Sequence, residues 1–177
     1  TDDSVIETIG VTSSQVTGTG SNQITIDPSA DFSSSTEYYV QVAATAFDDT
    51  AGNSYTGISD KTTLSFTTAD IIAPTINGVS SSTTDGTYQE GDVITISLAV
   101  SEAVIVDTTN GSPTLELETG SANRTATYLS GSGTPTLLFS YTVQAGDTAS
   151  DLDYTSTSAF ALNNGTIKDA GGNDATL

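Results

Sequence analysis

The sequence predicts an all-β protein of antiparallel strands, on the strength of three observations. Several stretches alternate apolar and polar residues with the period of two that is typical of half-buried strands. Turn dipeptides separate these stretches. The 177 residues include 33 Thr and 24 Ser, and Thr favours strands. No stretch shows a helical period over three turns, so we expect a β-sandwich.

The clearest predicted strand covers residues 92–101, in which Ile94, Ile96, Leu98 and Val100 point to one face. Residues 136–143 and 37–47 show the same alternation over similar lengths. Shorter strands are predicted at 23–26, 64–67, 114–117 and 125–129.

Turn signals between these segments support short antiparallel connections. Asn-Gly or Asp-Gly dipeptides, which favour tight hairpin turns, occur at Asn77, Asp85, Asn110 and Asn164. The sequence thus combines many short strands with frequent turns, the pattern of a sandwich or barrel.

Composition excludes several classes of function. Asp and Glu number 22 against 3 Lys and Arg, the formal net charge is −19, and there is no Cys or His. The chain therefore has no disulfide, thiol nucleophile, imidazole base or ordinary zinc site. Its few cations cannot form the basic surface that nucleic acid requires. Ser residues lack a catalytic base, so we predict no enzyme activity.

A domain joint is predicted near Asp70, which gives domains 1–70 and 71–177. Pro74 interrupts strand pairing there, just before the next predicted strand. An internal repeat supports two modules in series, because the pattern D-x-[AG]-G-N occurs at 49–53 and again 120 residues later at 169–173.

Residues 73–177, which begin APTINGVSSSTTDGTYQEGDVITISLAVSEAV, resemble the immunoglobulin-like or cadherin-like repeats of very large bacterial surface adhesins of the RTX type. Residues 1–70, with ITIDPSAD and STEYYVQVAATAFDDTAGNSYTGISDKTTLSFTT, resemble the later part of a bacterial immunoglobulin-like module that also occurs in surface-layer proteins. The resemblance implies two tandem immunoglobulin-like β-sandwiches. Because such modules usually run to about 100 residues, we expect the first to lack its opening strands.

This resemblance also implies a function and a location. The expected role is that of structural extender repeats in an extracellular bacterial adhesin, with neighbouring repeats of the same polypeptide as partners. One alternative is a module that binds a carbohydrate or protein; another is a unit of a surface-layer lattice. The longest apolar run is far below the ~20 residues of a membrane-spanning helix, so no direct insertion into a membrane is expected.

The carboxylates predict Ca²⁺ as the cofactor, since Ca²⁺ takes six to eight oxygen ligands from carboxylates, amides and carbonyls. In an immunoglobulin-like sandwich the loop before the last strand returns to the end where the chain enters. This topology places the second D-x-[AG]-G-N loop and the end of strand 94–100 beside the joint. The predicted interdomain ligands are Asp70, Glu102, Asp169 and Asn173, with help from Asp27 or Asp31. Asp48, Asp49 and Asn53 are predicted to form a matching half-site toward the preceding module.

A second interpretation of these loops stays open at this point. Asp and Asn hydrogen-bond their own backbone and Gly adopts positive φ, so D-x-[AG]-G-N is also a good tight-turn sequence. Asp151 and Asp153 are predicted to lie on the outer face of a strand, with Leu152 facing inward.

Overall fold

The computed structural model describes residues 3–177. The chain divides into two units, Thr1–Ala69 and Asp70–Leu177. All regular secondary structure in the described residues is β-strand, and every strand pair within the sheets is antiparallel. The predicted all-β fold class is therefore confirmed. Asp70, placed by the sequence at the end of the first domain, is the first residue of the second unit.

The first unit contains two small sheets of two strands each. Its strands are β1 (Val16–Thr17), β2 (Thr25–Ile26), β3 (Glu37–Tyr39) and β4 (Ser65–Thr67), with β1 paired to β2 and β3 paired to β4. The rings of Phe32, Tyr38 and Phe66 contact one another, with centroids 4.5 to 5.9 Å apart. None of the residues described between 3 and 69 is buried.

The long strand predicted over residues 37–47 is wrong in its length, because the strand ends at Tyr39. Beyond it, a single bridge joins Val42 to Ile58. The chain then turns, with the amide of Ala46 donating to the carbonyl of Ala43 at 3.1 Å. Thr45 has a φ of 68°, which is incompatible with an extended strand. The alternation of apolar residues continues through this turn, so the sequence pattern does not indicate that the strand has ended.

The second unit carries eight strands in one connected antiparallel sheet. They are β5 (Ile76–Ser81), β6 (Val93–Asp107), β7 (Thr114–Glu118), β8 (Arg124–Ser130), β9 (Thr134–Thr142), β10 (Asp153–Tyr154), β11 (Phe160–Ala161) and β12 (Thr166–Lys168). The main path runs β10-β7-β8-β9-β6-β12, while β5 pairs with β6 and β11 pairs with β7. The last three strands are only two or three residues long. β10 includes Asp153 of the strand predicted through Asp151 and Asp153, whereas β11 was not predicted.

Strand β6 organises this unit. Its first part pairs with β5 and β9, and its last part, residues 105–107, pairs with β12. A register shift after Ala99 separates the two parts, as expected where a strand bends between layers. The predicted inward face of Ile94, Ile96, Leu98 and Val100 is buried.

The sheet closes over one hydrophobic core. Phe139 of β9 is fully buried, and its ring contacts Tyr128 of β8 and Phe160 of β11 edge-on, with centroids 5.8 and 5.7 Å apart. Such aromatic pairs add specific stabilisation to the area they bury. Residues 3–177 contain no helix of the length and apolarity that a membrane crossing requires.

Candidate functional site

The first D-x-[AG]-G-N loop is closed by its own side chains. One carboxylate oxygen of Asp49 accepts hydrogen bonds from the backbone N–H groups of Ala51 and Asn53, both at 2.8 Å. The other accepts from Nδ2 of Asn53 at 2.8 Å. Gly52 has a φ of 85°, which closes the turn. This part of the first unit therefore has the geometry of a tight Asx turn.

The second loop has the same network. Asp169 Oδ1 accepts from the N–H of Asn173 and Asp169 Oδ2 accepts from Asn173 Nδ2, both at 2.8 Å. The residue equivalent to Gly52 is Gly172, with a φ of 91°. The tight-turn interpretation thus describes both loops. It does not exclude a cation ligand, because an ionised carboxylate offers about four lone-pair sites.

The surroundings of the second loop are different. Nδ2 of Asn173 also donates to the backbone carbonyl of Asp70 at 3.2 Å. A Cβ atom added at Gly171 would lie 2.8 Å from the Cβ of Asp70. Glycine therefore allows the loop to approach residues 70–75, the connecting segment, closely. The N–H of Thr176 donates to the carbonyl of Pro74 at 2.8 Å. Contacts on both sides therefore hold the segment after Asp70 against the loop.

Glu102 reaches the same place from β6. It follows the buried residues Ile96, Leu98 and Val100 at the same period of two and precedes the buried Val104. Glu102 therefore occupies an inward-facing position of the strand, and it is only partly exposed. Next to it, Ser101 Oγ accepts from the N–H of Thr75 at 3.0 Å, which joins this part of β6 to the connecting segment.

The three acidic side chains of Asp70, Glu102 and Asp169 converge, with one carboxylate oxygen from each within 4.8 Å of the others. This is the one such group of acidic side chains among the residues that the structure describes. Oxygens that bind one Ca²⁺ lie about 2.3–2.6 Å from the ion, so two ligands on opposite sides are separated by about 5 Å. The spacing and the all-oxygen donor set fit Ca²⁺.

Glu102 and Asp169 differ in the direction in which their pKa is shifted. Burial raises the pKa of the Glu102 carboxyl, and the negative charges of Asp70 and Asp169 add to the effect. Burial also acts to raise the pKa of Asp169, but hydrogen bonds from the side chain and backbone of Asn173 and from the backbone of Gly172 and Gly171 together outweigh it and lower the pKa overall. In this cluster the surroundings of Asp169 favour its ionised form, whereas those of Glu102 disfavour its negative charge.

Each positive side chain of the sequence forms an ion pair with an acidic side chain outside the cluster. Lys61 pairs with Asp3, Arg124 with Asp147 at 3.0 Å and Lys168 with Asp174 at 2.7 Å. These three residues are all of the Lys and Arg in the sequence. A divalent cation would be attracted to all three carboxylates of the cluster.

The other predicted ligands belong to the first unit. Asp27 and Asp31 are exposed residues of the first unit, and the N–H of Asp27 donates to the carbonyl of Gln15 at 2.9 Å. Asp48 accepts from the hydroxyl of Ser54 at 2.6 Å. Participation of Asp27 or Asp31 in an interdomain site, and of Asp48, Asp49 and Asn53 in a half-site, stays a prediction.

Sequence reasoning missed a second polar centre, formed by Tyr141, Asp147 and Arg124. The hydroxyl of Tyr141 donates to one oxygen of Asp147, and Nε of Arg124 donates to the other. Burial, followed by the hydrogen bond and negative charge of Asp147, raises the pKa of Tyr141 to about 12. Arg124 directly precedes the strand predicted over residues 125–129, and that position was the available signal.

Family comparison identifies part of the chain. Residues 1–68 match the model of a family described as bacterial Ig-like domain. The first unit is thus similar to a class of non-catalytic binding and structural modules that typically occur in surface or extracellular proteins. No curated protein and no solved structure matches the chain. The predicted resemblance of residues 73–177 to adhesin repeats stays a prediction.

Proposed function

We propose that this chain is a structural segment of a bacterial surface protein, and that Ca²⁺ bound by Asp70, Glu102 and Asp169 fixes the connecting segment at the start of the second unit. The convergence of three carboxylates, with one oxygen of each within 4.8 Å of the others, carries this proposal. The family match at residues 1–68 supports the structural role and an extracellular location.

The proposed role of the ion follows from where its ligands lie. Asp70 immediately follows the first unit, Glu102 lies on β6 and Asp169 begins the loop after β12. Carboxylates held together repel each other, whereas a divalent cation between them is attracted to all three. An ion bound only by the folded form stabilises that form, and here it ties the connecting segment to two elements of the second unit.

In the parent protein, this would make Ca²⁺ a determinant of how freely successive modules move. Neighbouring modules of the same polypeptide are the partners that the role requires. The ligand that such a surface protein recognises would then be held by other modules, while this segment sets their distance from the cell.

The test is a comparison of two loop variants in the full chain. Asp169→Asn removes the cluster charge, and Asp49→Asn makes the same change in the matching loop without a cluster. We expect millimolar Ca²⁺ to raise the melting temperature of the wild type and of Asp49→Asn, but not that of Asp169→Asn. Calorimetric titration with Ca²⁺ should detect one binding site in the wild type and in Asp49→Asn, and none in Asp169→Asn. Glu102→Gln serves as a second cluster variant if Asp169→Asn does not fold.

Two outcomes would overturn the proposed ion site. One is an equal rise in melting temperature with Ca²⁺ and with Mg²⁺ at matched ionic strength, if added salt alone produces the same rise. The other is equal loss of the response in the Asp49 and Asp169 variants. The stiffening role has its own readout: Ca²⁺ should slow amide hydrogen exchange at residues 70–75, and bound Ca²⁺ with unchanged exchange there would contradict it.

A further inference from the structure

The second unit has a cleft between two edge strands of its sheet, β5 and β10. β5 pairs with β6 beside the main path, and β10 pairs with β7 at one end of that path. Both strands line a cleft of about 660 Å³, to which β5 contributes Val79 and Ser81 and β10 contributes Asp153 and Tyr154. The curled sheet therefore remains open by a gap on this side.

The floor of this cleft is apolar. It is formed by inward-facing residues of three strands, among them Ile96 of β6, Leu117 of β7 and Tyr141 of β9. The volume lies within the range of about 300–1,000 Å³ that is typical of ligand-binding clefts. Apolar groups that enter would therefore meet the edge of the hydrophobic core.

One wall of the cleft offers backbone hydrogen-bonding groups. In an antiparallel pair, the N–H and C=O groups of alternate residues point toward the partner strand and away from it. Since β5 is an end strand of six residues beside β6, half of its backbone groups point away from β6. Such an edge is a template for an added strand.

The rim is acidic. Asp85, Asp151 and Asp153 line the cleft and are exposed. Asp147 also lines it and pairs with Arg124, while Lys61 and Lys168 pair with carboxylates that do not line it. The cleft is therefore complementary to a positively charged partner with apolar side chains. A second copy of this chain does not fit this description, because it carries a net charge of −19.

We propose that this cleft binds an extended polypeptide segment in which apolar residues alternate with Lys or Arg. The segment adds as a strand along β5, which spans about 20 Å at roughly 3.3 Å per residue. Its apolar side chains enter the cleft and its basic side chains meet the acidic rim. This inference does not depend on the cation site, which is formed by other residues.

The probe for this proposal is a fluorescently labelled octapeptide of alternating Lys and Val, tested against alternating Glu-Val and Lys-Ser peptides. We expect saturable binding of the Lys-Val peptide alone, with amide exchange slowed at residues 76–81. Ala149→Trp places a bulky side chain at an exposed position of the cleft wall and should abolish binding.

A matched pair of triple variants separates site binding from general attraction to an acidic protein. Asp85→Asn, Asp151→Asn and Asp153→Asn together remove three rim charges and should weaken binding by at least tenfold. The control, Asp27→Asn, Asp31→Asn and Asp48→Asn, removes three exposed charges from the first unit and should leave binding nearly unchanged.

Several results would overturn the proposal. Equal weakening by the two triple variants would show nonspecific attraction. Equal binding of the Lys-Ser peptide would show that the apolar floor is not used, and binding of the Glu-Val peptide would exclude the role of the rim. Self-association of the chain that Ala149→Trp abolishes would assign the cleft to a second copy instead.

Discussion

The loops at 49–53 and 169–173 have the same hydrogen bonds, the same glycine conformation and different neighbours. In the first, the Asp and Asn side chains satisfy each other on an exposed surface. In the second, the equivalent Asp169 is buried and lies beside two further carboxylates. The five-residue motif therefore determines the local turn, whereas the strands packed around it determine whether the turn can bind a cation.

The two units differ in a similar way on a larger scale. No described residue of the first unit is buried, although its aromatic rings cluster. The second unit encloses a core that includes Leu98, Val104, Leu137 and Phe139, each at most 1% exposed. Burial scales with the free energy that a side chain contributes, so equivalent substitutions should have unequal effects in the two units.

The largest difference is expected for aromatic truncation. Phe139→Ala should destabilise the second unit by about 3–5 kcal/mol, the usual range for a buried Phe. Phe66→Ala, at a side chain that is 39% exposed, should cost the first unit clearly less. Denaturant titration followed by hydrogen exchange mass spectrometry would measure the free energy of unfolding of each unit separately. Equal losses would contradict the inferred difference in packing.

Removing the loop carboxylates in the absence of divalent ions should give the next largest effect. Asp169→Ala removes a buried carboxylate and leaves the half-buried Asn173 amide with only the carbonyl of Asp70 as acceptor, whereas the groups freed by Asp49→Ala are exposed to water. Unpaired buried polar groups are costly, so Asp169→Ala should lower the melting temperature by several degrees more than Asp49→Ala. Calorimetry with a chelator present would measure both, and a larger effect at Asp49 would reverse the comparison.

The pH dependence of the two sites should have opposite signs. Glu102 has a raised pKa, so its contribution to stability is complete below its ordinary value of 4.5 and is lost as pH rises through the raised value. Asp49 has a lowered pKa, so its contribution is present above 3.8 and is lost as pH falls.

In chelator, Glu102→Gln should therefore raise the melting temperature at pH 7 by a few degrees, with the gain absent below about pH 4. Asp49→Asn should lower it at pH 7, with the loss fading in acid. Thermal scans from pH 3 to pH 8 measure both trends. A stabilising effect of Glu102→Gln that grows in acid would contradict the pKa direction.

The smallest difference is expected at the loop glycines. Gly52 and Gly172 have φ values of 85° and 91°, and a Cβ atom at either position would contact no neighbouring atom within 4 Å. Substitution by Ala should cost each loop about 1–2 kcal/mol from backbone strain alone. Chemical denaturation of the two variants should give nearly equal losses, and a much larger loss at Gly172 would indicate a packing contact specific to the second loop.

The sequence predicted those features that depend on local alternation or on repeated motifs. The inward face of β6, the relation between the two loops and the convergence of the Asp169 loop with Asp70 followed from period, spacing and the topology of the resembled fold. The turn at Thr45 did not, because its neighbours continue an apolar alternation. The cleft was also missed, because it depends on how far the sheet curls. Without that curvature, the sequence indicates only that Asp151 and Asp153 are polar residues on the outer face of a strand.

The parallel bridge between Thr75 and Thr176 has a mechanical consequence. Tension applied to the chain at Asp70 and at Leu177 pulls these two paired segments in opposite directions along their length, so the bridge is loaded in shear. The contacts that resist first are the bond from Thr176 to Pro74 and the bond from Asn173 to Asp70. A pulling force therefore meets the connecting segment before it reaches the hydrophobic core, and the carboxylate cluster lies directly on that force path.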